Sequence, residues 1–423
     1  MDKNNAKSKV AVVRCSTYDR TNVENTVGKA IELLGGFEVL LKAEGIQPNS
    51  KILLKPNLLA KAEPDKAVTT HPEVFRAVGK LLMEGGFRNL VYGDSPGHPV
   101  LTMEKTAEHC GIKEVADDLG IVPGNFEHGV NVEYKEGRSI KHFVLCKEVA
   151  GLIEQEEPPG AIINICKMKT HQLERITGAV KNTFGCVYGI NKAATHAIYK
   201  TPEHFARMLA DLNNLVKPKL HIMDGVVAME GNGPGSGDPR SMHFILASAD
   251  PVALDTVFCK LINLDPKIVA TNVAAADLGI GTMNEDEIEI ILGGMPMRKD
   301  GEVIPMDEFV FIFGEEDFNV QRSTEYKGGF RIMKLLEPFL GKKPVVLEGN
   351  CVACGVCVDA CPVEGKAVEL KVRKTANREK KVLATYNYSK CIKCFCCQEM
   401  CPKEAISVQK SLLTKIIDRQ WKV

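Results

Sequence analysis

The chain has 423 residues, 44% hydrophobic and 26% charged, a composition typical of a soluble globular protein of two or three domains. Lysine plus arginine and aspartate plus glutamate both total 54, and this balance argues against nucleic-acid binding and against a disordered chain. No run of 18 apolar residues occurs and the polar first nine residues lack the apolar core of a signal peptide, so we expect neither a membrane-spanning helix nor a secretory leader.

Short apolar runs alternate with amphipathic segments of helical length through the first 340 residues. This pattern predicts an α/β fold, in which layers of helices pack on a mostly parallel sheet. Thr201, Asp250 and Asp265 each precede a proline that begins a predicted helix, and their side chains are suitable N-caps. The predicted strands span 10–14, 51–54, 90–93, 161–166, 220–224, 243–247, 287–292 and 309–313; the predicted helices span 23–34, 72–83, 103–110, 202–215, 251–261 and 266–278.

Charge and cysteine content both change near residue 340, which predicts separate domains. Residues 341–423 hold 16 lysines and arginines against 8 acidic residues, so their net charge of +8 cancels −8 in the preceding residues. Nine of the 15 cysteines lie between 351 and 401, and the six scattered ones are interpreted as packed core thiols. The predicted division is an α/β domain at 1–320, a linker with one helix (330–340) at 321–343, a small α+β domain at 344–410 and an amphipathic helix at 411–423.

The nine crowded cysteines form two runs with the same spacing of 3, 3 and 4 residues, each ending in Cys-Pro. This arrangement resembles the bacterial ferredoxin domain that binds two 4Fe–4S clusters, in which the fourth cysteine of each run serves the other cluster. A pair of zinc knuckles is the alternative, although zinc sites do not call for eight cysteines with Cys-Pro at both ends. The resemblance implies one cluster on Cys351, Cys354, Cys357 and Cys401, and a second on Cys391, Cys394, Cys397 and Cys361.

The second run departs from the usual ferredoxin pattern at two positions. Phe395 stands where glycine is usual, and Cys396 is surplus to ligation and is interpreted as a packed thiol. Between the runs, residues 371–381 form a predicted basic hairpin tip, which is either a solvated surface or a docking site for an acidic electron-transfer partner.

Polar and charged residues also follow several predicted strands of the first domain, where open α/β sheets bind their ligands. Lysines and a glycine-rich run at these strand ends favour an anionic ligand such as a carboxylate or phosphate. The run matches neither nucleotide-binding glycine pattern, so it does not predict a nucleotide site. The candidate binding residues are Lys55, Asn57, Lys169, Lys181, Asn182, Gly231, Gly233 and Gly235, and the candidate catalytic residues are Lys167 (anion orientation), His171 (proton donor), and Asp94 and Glu230 (bases).

The motifs KPNL, GDSPG, KMKTH, GAVKNTFG and ASADPVALD together resemble the family called domain of unknown function 362. Members of that family often carry a C-terminal two-cluster ferredoxin domain, including the extra cysteine of the second run. The resemblance covers roughly residues 10–410. It implies the architecture and two 4Fe–4S clusters, and it leaves the reaction open.

These observations favour an iron–sulfur oxidoreductase that relays single electrons from a soluble donor to an anionic small molecule held by the first domain. An electron carrier or adaptor without catalysis, and a non-redox isomerase or transferase with structural clusters, remain open. The C-terminal helix 411–423 is expected to pack on the protein or on a second subunit, with membrane-surface attachment as the alternative. The exposed clusters and unpaired thiols predict a reducing, anaerobic or microaerobic cytoplasm.

Overall fold

The structure is a computed structural model that describes residues 7–97, 102–155, 157–189, 192, 195, 198–199, 201–323, 342–375 and 377–409. The predicted linker helix at 330–340 and the predicted C-terminal helix at 411–423 lie outside these residues. In the described part of the chain, no helix is both long enough and apolar enough to cross a membrane.

One large sheet organises the first 320 residues. Most of its strands begin where the apolar runs of the sequence begin, because these runs are buried on both faces. Two further strands form a separate hairpin. The strands of this part are β1 Ser8–Arg14, β2 Ile52–Pro56, β3 Leu90–Tyr92, β4 Val122–Pro123, β5 Gly129–Glu133, β6 His142–Cys146, β7 Ala161–His171, β8 Arg175–Thr177, β9 Leu220–Glu230, β10 Asp238–Ser248, β11 Ile288–Gly293 and β12 Glu302–Ile304.

The sheet has the strand order β12-β11-β1-β10-β9-β7-β2-β3-β4, with β8 paired on β7. The run from β9 through β7, β2 and β3 to β4 is parallel throughout, and β1 pairs in parallel with β11. Strand β10 is antiparallel to both of its neighbours. The mostly parallel α/β fold predicted from the sequence is therefore confirmed, and the carboxyl ends of β2, β3, β7 and β9 meet at one edge.

Helices cover both faces of the sheet. Along β1, Ala11 and Val13 belong to one hydrophobic core while Val10 and Val12 belong to another, as the two-residue period of a strand requires. The fold is thus three-layered, with apolar side chains on both sides of the sheet. The helices are α1 Arg20–Leu33, α2 Gly36–Leu40, α3 Pro72–Glu84, α4 Met103–His109, α5 Ile112–Leu119, α6 Lys147–Glu154, α7 Ala179–Asn182, α8 Pro202–Val216, α9 Pro251–Leu261, α10 Ala270–Asp277 and α11 Met306–Phe313.

The predicted helices that begin at Pro202 and Pro251 are confirmed together with their caps, whereas the single helix predicted at 266–278 is divided in two. The side chain of Asp250 accepts hydrogen bonds from the first N–H groups of α9, and that of Thr201 accepts one at the start of α8. Asp265 caps a short 3-10 turn, Pro266–Ile268, after which α10 begins separately. The six scattered cysteines are buried, as expected of core thiols.

The strand predicted at 309–313 is wrong, since these residues belong to α11. A short apolar run does not by itself distinguish a buried strand from a helix. Here Met306 and Phe309 face the core at helical spacing, whereas Phe311 is 91% exposed. Three strands are longer than predicted by at least five residues. Strands β7, β9 and β10 continue beyond the apolar run, so that the polar segments 167–171 and 225–230 are strand and not loop.

The cysteine-rich segment, residues 343–409, forms the second and smaller part of the structure. Its elements are short, and two of its four strands are separated along the chain by nearly the whole segment. They are β13 Lys343–Val346, which pairs with β16 Ile406–Gln409, the hairpin β14 Val368–Lys374 and β15 Lys380–Tyr386, and the helices α12 Val356–Asp359 and α13 Cys396–Glu399.

Candidate functional site

The first cysteine run closes around a cavity. Cys351, Cys354, Cys357 and Cys401 all line a cavity of about 350 Å³ in the cysteine-rich segment, including its solvent-open mouth. Burial, followed by the neighbouring thiolates of Cys401, Cys354 and Cys351, raises the pKa of Cys357 to about 11. Four cysteines ionised as ligands would repel one another at this place, and a cationic iron core would offset that repulsion. The lining therefore fits a cluster on the four ligands that the resemblance implies.

The second run gathers its thiols with Cys361 of the first run. Burial raises the pKa of Cys391, and the thiols of Cys394 and Cys361 raise it further. The Tyr386 hydroxyl donates a hydrogen bond of 3.2 Å to the sulfur of Cys397, and the N–H of Ala367 donates one of 3.3 Å to the sulfur of Cys361. Hydrogen bonds to ligand sulfurs are a standard way to tune such clusters. These contacts fit the crossed ligand set of the second cluster.

The two runs share one backbone conformation. Ala353 and Lys393 both have positive φ, as do Gly355 and Phe395, at equivalent positions before a one-turn helix. Phe395 adopts φ 62° where glycine is usual, although a left-handed residue with a side chain costs roughly 1–2 kcal/mol. Its ring is 5% exposed, so burial of the aromatic side chain offsets this strain.

Within the described part of the chain, no three His, Cys, Asp or Glu side chains converge closely enough to hold a single metal ion.

The surplus thiol, Cys396, is buried and lies beside Cys394. A side-chain hydrogen bond between them lowers the pKa of Cys394 and raises that of Cys396.

At the sheet edge, two of the candidate lysines are neutralised by buried aspartates. The Lys55 ammonium lies 3.0 Å from Asp94, whose other oxygen accepts the N–H of Leu58 at 2.7 Å. The Lys167 ammonium lies 2.8 Å from Asp224, on the neighbouring strand of the sheet. Both pairs are fully buried, and their hydrogen-bonding capacity is used within the protein. The structure therefore places Lys55 and Lys167 as counter-ions of aspartates.

Among the described residues, Lys167 forms side-chain hydrogen bonds with Tyr18 and Asp224 and with none of the other candidate residues. The Tyr18 hydroxyl lies 2.8 Å from the Lys167 ammonium and donates a hydrogen bond of 2.7 Å to Asp224. The Tyr18 ring stacks on His71 at 3.6 Å between centroids. Burial lowers the pKa of Lys167, while the attraction of Asp224 opposes that shift.

Three other lysines lie at this edge without a carboxylate partner among the described residues: Lys169, Lys181 and Lys192. Lys169 donates hydrogen bonds of 2.7 Å to the side-chain oxygen of Asn57 and to the carbonyl of Val68. Burial lowers the pKa of Lys169 well below its ordinary value, and the ammoniums of Lys181 and Lys167 lower it further. A bound anion would offset both the burial and this repulsion and would favour the charged form of Lys169, so the arrangement suits an anion.

All three of these lysines line one cavity between the sheet edge and the cysteine-rich segment, hereafter the interface cavity. It encloses about 1020 Å³, including its solvent-open mouth. Candidate residues Asn57, Asp94, Lys169, Lys181 and Asn182 belong to its lining. From the sheet side it is also lined by Leu59, Ser95, Gly97, Thr177, Phe184, Gly185, Lys192 and Pro234, and from the cysteine-rich segment by Asp359, Ala360, Cys396, Glu399 and Met400.

The glycine-rich run packs against protein. A Cβ on Gly233 would lie 2.3 Å from the carbonyl oxygen of Thr170, so only glycine fits there. The next residue back, Asn232, accepts a hydrogen bond of 2.8 Å at its carbonyl from the side chain of Gln398 in α13. The loop therefore packs against the cysteine-rich segment. Its candidate residues Gly231, Gly233 and Gly235 lie outside the lining of the interface cavity, and only Pro234 of this loop belongs to that lining.

His171 and Glu230 also lie outside that lining. The Nε2 atom of His171 is 3.0 Å from Glu399 in α13. Glu230 accepts the N–H of Asn319 at 2.8 Å, and no cavity residue contacts it through a hydrogen bond in the described structure.

Comparison with known proteins finds a match for each of the two parts of the chain. The family described as "Domain of unknown function (DUF362)" matches residues 52–260, and a "4Fe-4S dicluster domain" matches residues 343–402. The Thylakoid-associated protein sll1697 of Synechocystis sp. is 34% identical over 272 residues, which are 64% of this chain and 79% of that protein. The chain belongs to the DUF362 family. Its cysteine-rich segment is an iron–sulfur domain of the ferredoxin, electron-transfer type.

The DUF362 match includes every lysine of the interface cavity, whereas the dicluster match supplies the opposite wall. Sequence reasoning missed Lys192, Phe184 and Glu399. Lys192 follows no predicted strand and stands alone in its segment, so nothing in its local sequence marks it. Glu399 lies between Cys397 and Cys401, and an acidic residue at such a position is usually interpreted as a solvated surface charge.

Proposed function

We propose that this DUF362 protein is an iron–sulfur oxidoreductase that passes electrons from a soluble donor to a small anion bound in the interface cavity. One observation carries the proposal. Lysines without carboxylate partners line a cavity whose opposite wall belongs to the electron-transfer domain. In this proposal residues 1–320 hold the substrate and residues 344–410 hold the clusters.

The sheet edge provides the anion site. Lys169 is fixed by its two hydrogen bonds. The side-chain amide of Asn57 in turn donates a hydrogen bond of 2.8 Å to the side-chain oxygen of Asn182. Asn182 in turn donates one of 2.7 Å to Asn164, so the amides at the site are held in one orientation. A preorganised set of donors binds an anion without first losing side-chain freedom. Lys181 is only partly buried and lines the cavity, where its ammonium adds a further positive charge to the proposed anion site.

The opposite wall brings the cysteines close to the anion. Ala360 precedes Cys361, and Cys396 lies between Cys394 and Cys397, so the wall is formed beside the proposed ligands of the second cluster. When bound, the clusters would supply single electrons. Glu399 and Gln398 hold this wall on the sheet through His171 and Asn232.

The donor is proposed to dock on the exposed hairpin β14–β15. Lys371, Arg373, Lys374 and Lys380 are all exposed there, and an acidic protein would be attracted to them. Rates of association would then fall with ionic strength. The unpaired thiols support the reducing, cytoplasmic location expected from the sequence.

The test is performed on the anaerobically purified full chain with its clusters reduced. Reoxidation is followed by visible absorbance while 2-oxo acids, enoates, and sulfur and nitrogen oxyanions are added in turn. We expect a member of the panel to accelerate reoxidation with saturation, and Lys181→Met to raise the half-saturating concentration at least tenfold (about 1.4 kcal/mol). Lys105→Met, an exposed lysine on α4, is the matched control.

Two results would count against the proposal. If no anion of the panel accelerates reoxidation, the proposal that the clusters reduce a small anion of these classes is wrong. If acceleration is the same in wild type, Lys181→Met and Lys169→Met with iron content unchanged, the electrons leave elsewhere and the interface cavity is not the site.

A further inference from the structure

Lys192 differs from the other lysines of the interface cavity in its surroundings. It is buried, its ammonium donates a hydrogen bond to the carbonyl of Ser95, and it lies 5.4 Å from the centre of the Phe184 ring. A carbonyl and an aromatic face attract a cation without neutralising it. The charge of Lys192 is therefore held at the cavity wall and is still available to an anion.

The charged and titratable groups that face Lys192 come from four separate places. Asp94 follows β3 and Lys55 lies on β2, and these two are paired with each other. Cys146 ends β6, and Cys186 ends the 3-10 turn Thr183–Cys186. Burial raises the pKa of Cys146 to about 12 and that of Cys186 to about 11, so both are neutral thiols below pH 10. These two thiols therefore do not alter the charge around Lys192 over that range.

Resting on the proposed function, we propose that Lys192 binds the substrate's anionic group directly and that loss of its proton weakens this binding as the pH rises. The ligand class is a small oxyanion or carboxylate that stays fully ionised across this range. Lys192 contributes a single charge and N–H donors beside the flat face of Phe184, which suits a planar carboxylate with an unsaturated neighbour.

The protonated, charged form of Lys192 is the form that binds an anion, and this determines the direction of the pH effect. Burial, opposed first by Asp94, lowers the pKa of Lys192 to about 8. The affinity for an anion is then highest below pH 7, where Lys192 is protonated, and falls as the pH rises above 8. Between pH 7 and pH 9.5 the protonated fraction of such a group falls roughly 30-fold, and the affinity falls with it.

The experiment measures sulfate binding by calorimetry, because sulfate keeps its charge over the whole range. The anaerobic full-length protein with its clusters is titrated at pH 6.5 to 9.5 as wild type, Lys192→Arg and Lys192→Met. We expect roughly 30-fold weaker binding at pH 9.5 than at pH 7 in the wild type and a change below about threefold in Lys192→Arg, since arginine stays charged. Lys192→Met should bind weakly at every pH. Unchanged circular dichroism and iron content show that each variant is folded.

The outcomes separate this inference from the proposed function. If Lys192→Met matches the wild type in affinity and pH profile while Lys181→Met loses binding, Lys192 has no such role and the cavity remains the anion site. If neither variant changes sulfate binding, both the role of Lys192 and the anion site of the proposed function are wrong.

Discussion

The Nε2 atom of His171 lies 3.0 Å from Oε1 of Glu399, and this contact joins the end of β7 to α13. The Nδ1 atom of His171 accepts the N–H groups of Leu173 and Glu174 at 3.1 and 3.0 Å. Because Nδ1 is an acceptor, the proton of the neutral ring lies on Nε2, facing the carboxylate. One histidine therefore shapes its own loop and anchors the cysteine-rich segment, while Glu399 places a negative charge at the interface cavity.

That negative charge opposes the binding of an anion. We predict that Glu399→Gln strengthens sulfate binding by about threefold to tenfold, because it removes a repulsive charge and keeps the shape of the side chain. Calorimetry at pH 7 measures the change. Glu404→Gln, an exposed residue five positions along the same segment, is the control and should leave the affinity unchanged. Weaker binding in Glu399→Gln would show that the carboxylate does not face the anion.

The lysines paired with aspartate are predicted to act on stability. Lys55→Met leaves the Asp94 carboxylate buried without its counter-ion, and we expect it to lower the free energy of unfolding by about 3–5 kcal/mol. Lys181→Met removes no ion pair and should cost less than about 1 kcal/mol. Urea denaturation under anaerobic conditions compares the two.

The double variant Lys55→Met with Asp94→Asn is the control for this prediction. It should recover part of the lost stability, because the unpaired charge is no longer present. If the double variant is no more stable than Lys55→Met, the loss comes from packing and not from the ion pair.

The crossed ligand sets predict distinct results for neighbouring cysteines. Cys361→Ser should lower the iron content from about eight to about four per chain, because Cys361 is proposed to serve the second cluster. Electron paramagnetic resonance of the reduced protein should then lose the interaction between two clusters. Cys396→Ala is the control and should keep the full iron content. Loss of iron in Cys396→Ala, with full iron in Cys394→Ser, would mean that Cys396 is the ligand.

Acid should destabilise the first domain through His221. This side chain is fully buried and its Nδ1 lies 2.9 Å from the amide of Asn164. Burial lowers the pKa of His221 to about 3, so its neutral form is kept in the folded protein. The contribution to stability is complete above pH 6.5 and is lost as pH falls toward 3. At pH 5 this amounts to roughly 2 kcal/mol.

Thermal unfolding between pH 5 and pH 7.5 checks the effect of His221. The variant His221→Gln keeps an amide in place of the ring and should show a shallower loss of stability below pH 6.5. His204→Gln, at an exposed position on α8, is the matched control and should follow the wild type. Identical slopes in wild type and His221→Gln would contradict the prediction.

Local patterns in the sequence were sufficient for much of the architecture. The spacing of Cys351, Cys354 and Cys357 predicts the iron–sulfur domain, because ligands of one cluster loop lie close along the chain. Proline after Thr201 or Asp250 predicts where helices begin, since capping is settled within one turn. The apolar runs locate most strands. They fail at 309–313, because a short apolar run does not by itself distinguish a strand from a helix.

The tertiary structure alone decided which polar residues could meet a ligand. Lys55 and Lys167 resemble Lys169 in sequence, but each is paired with an aspartate at least 39 positions away. Lys192 reaches the same cavity from a segment with no motif. Coulomb attraction depends on distance in space, and spacing along the chain does not determine that distance for residues on different strands. The sequence by itself therefore determined the chemistry available to this protein, and folding determined which charges remain unpaired at the boundary between its two parts.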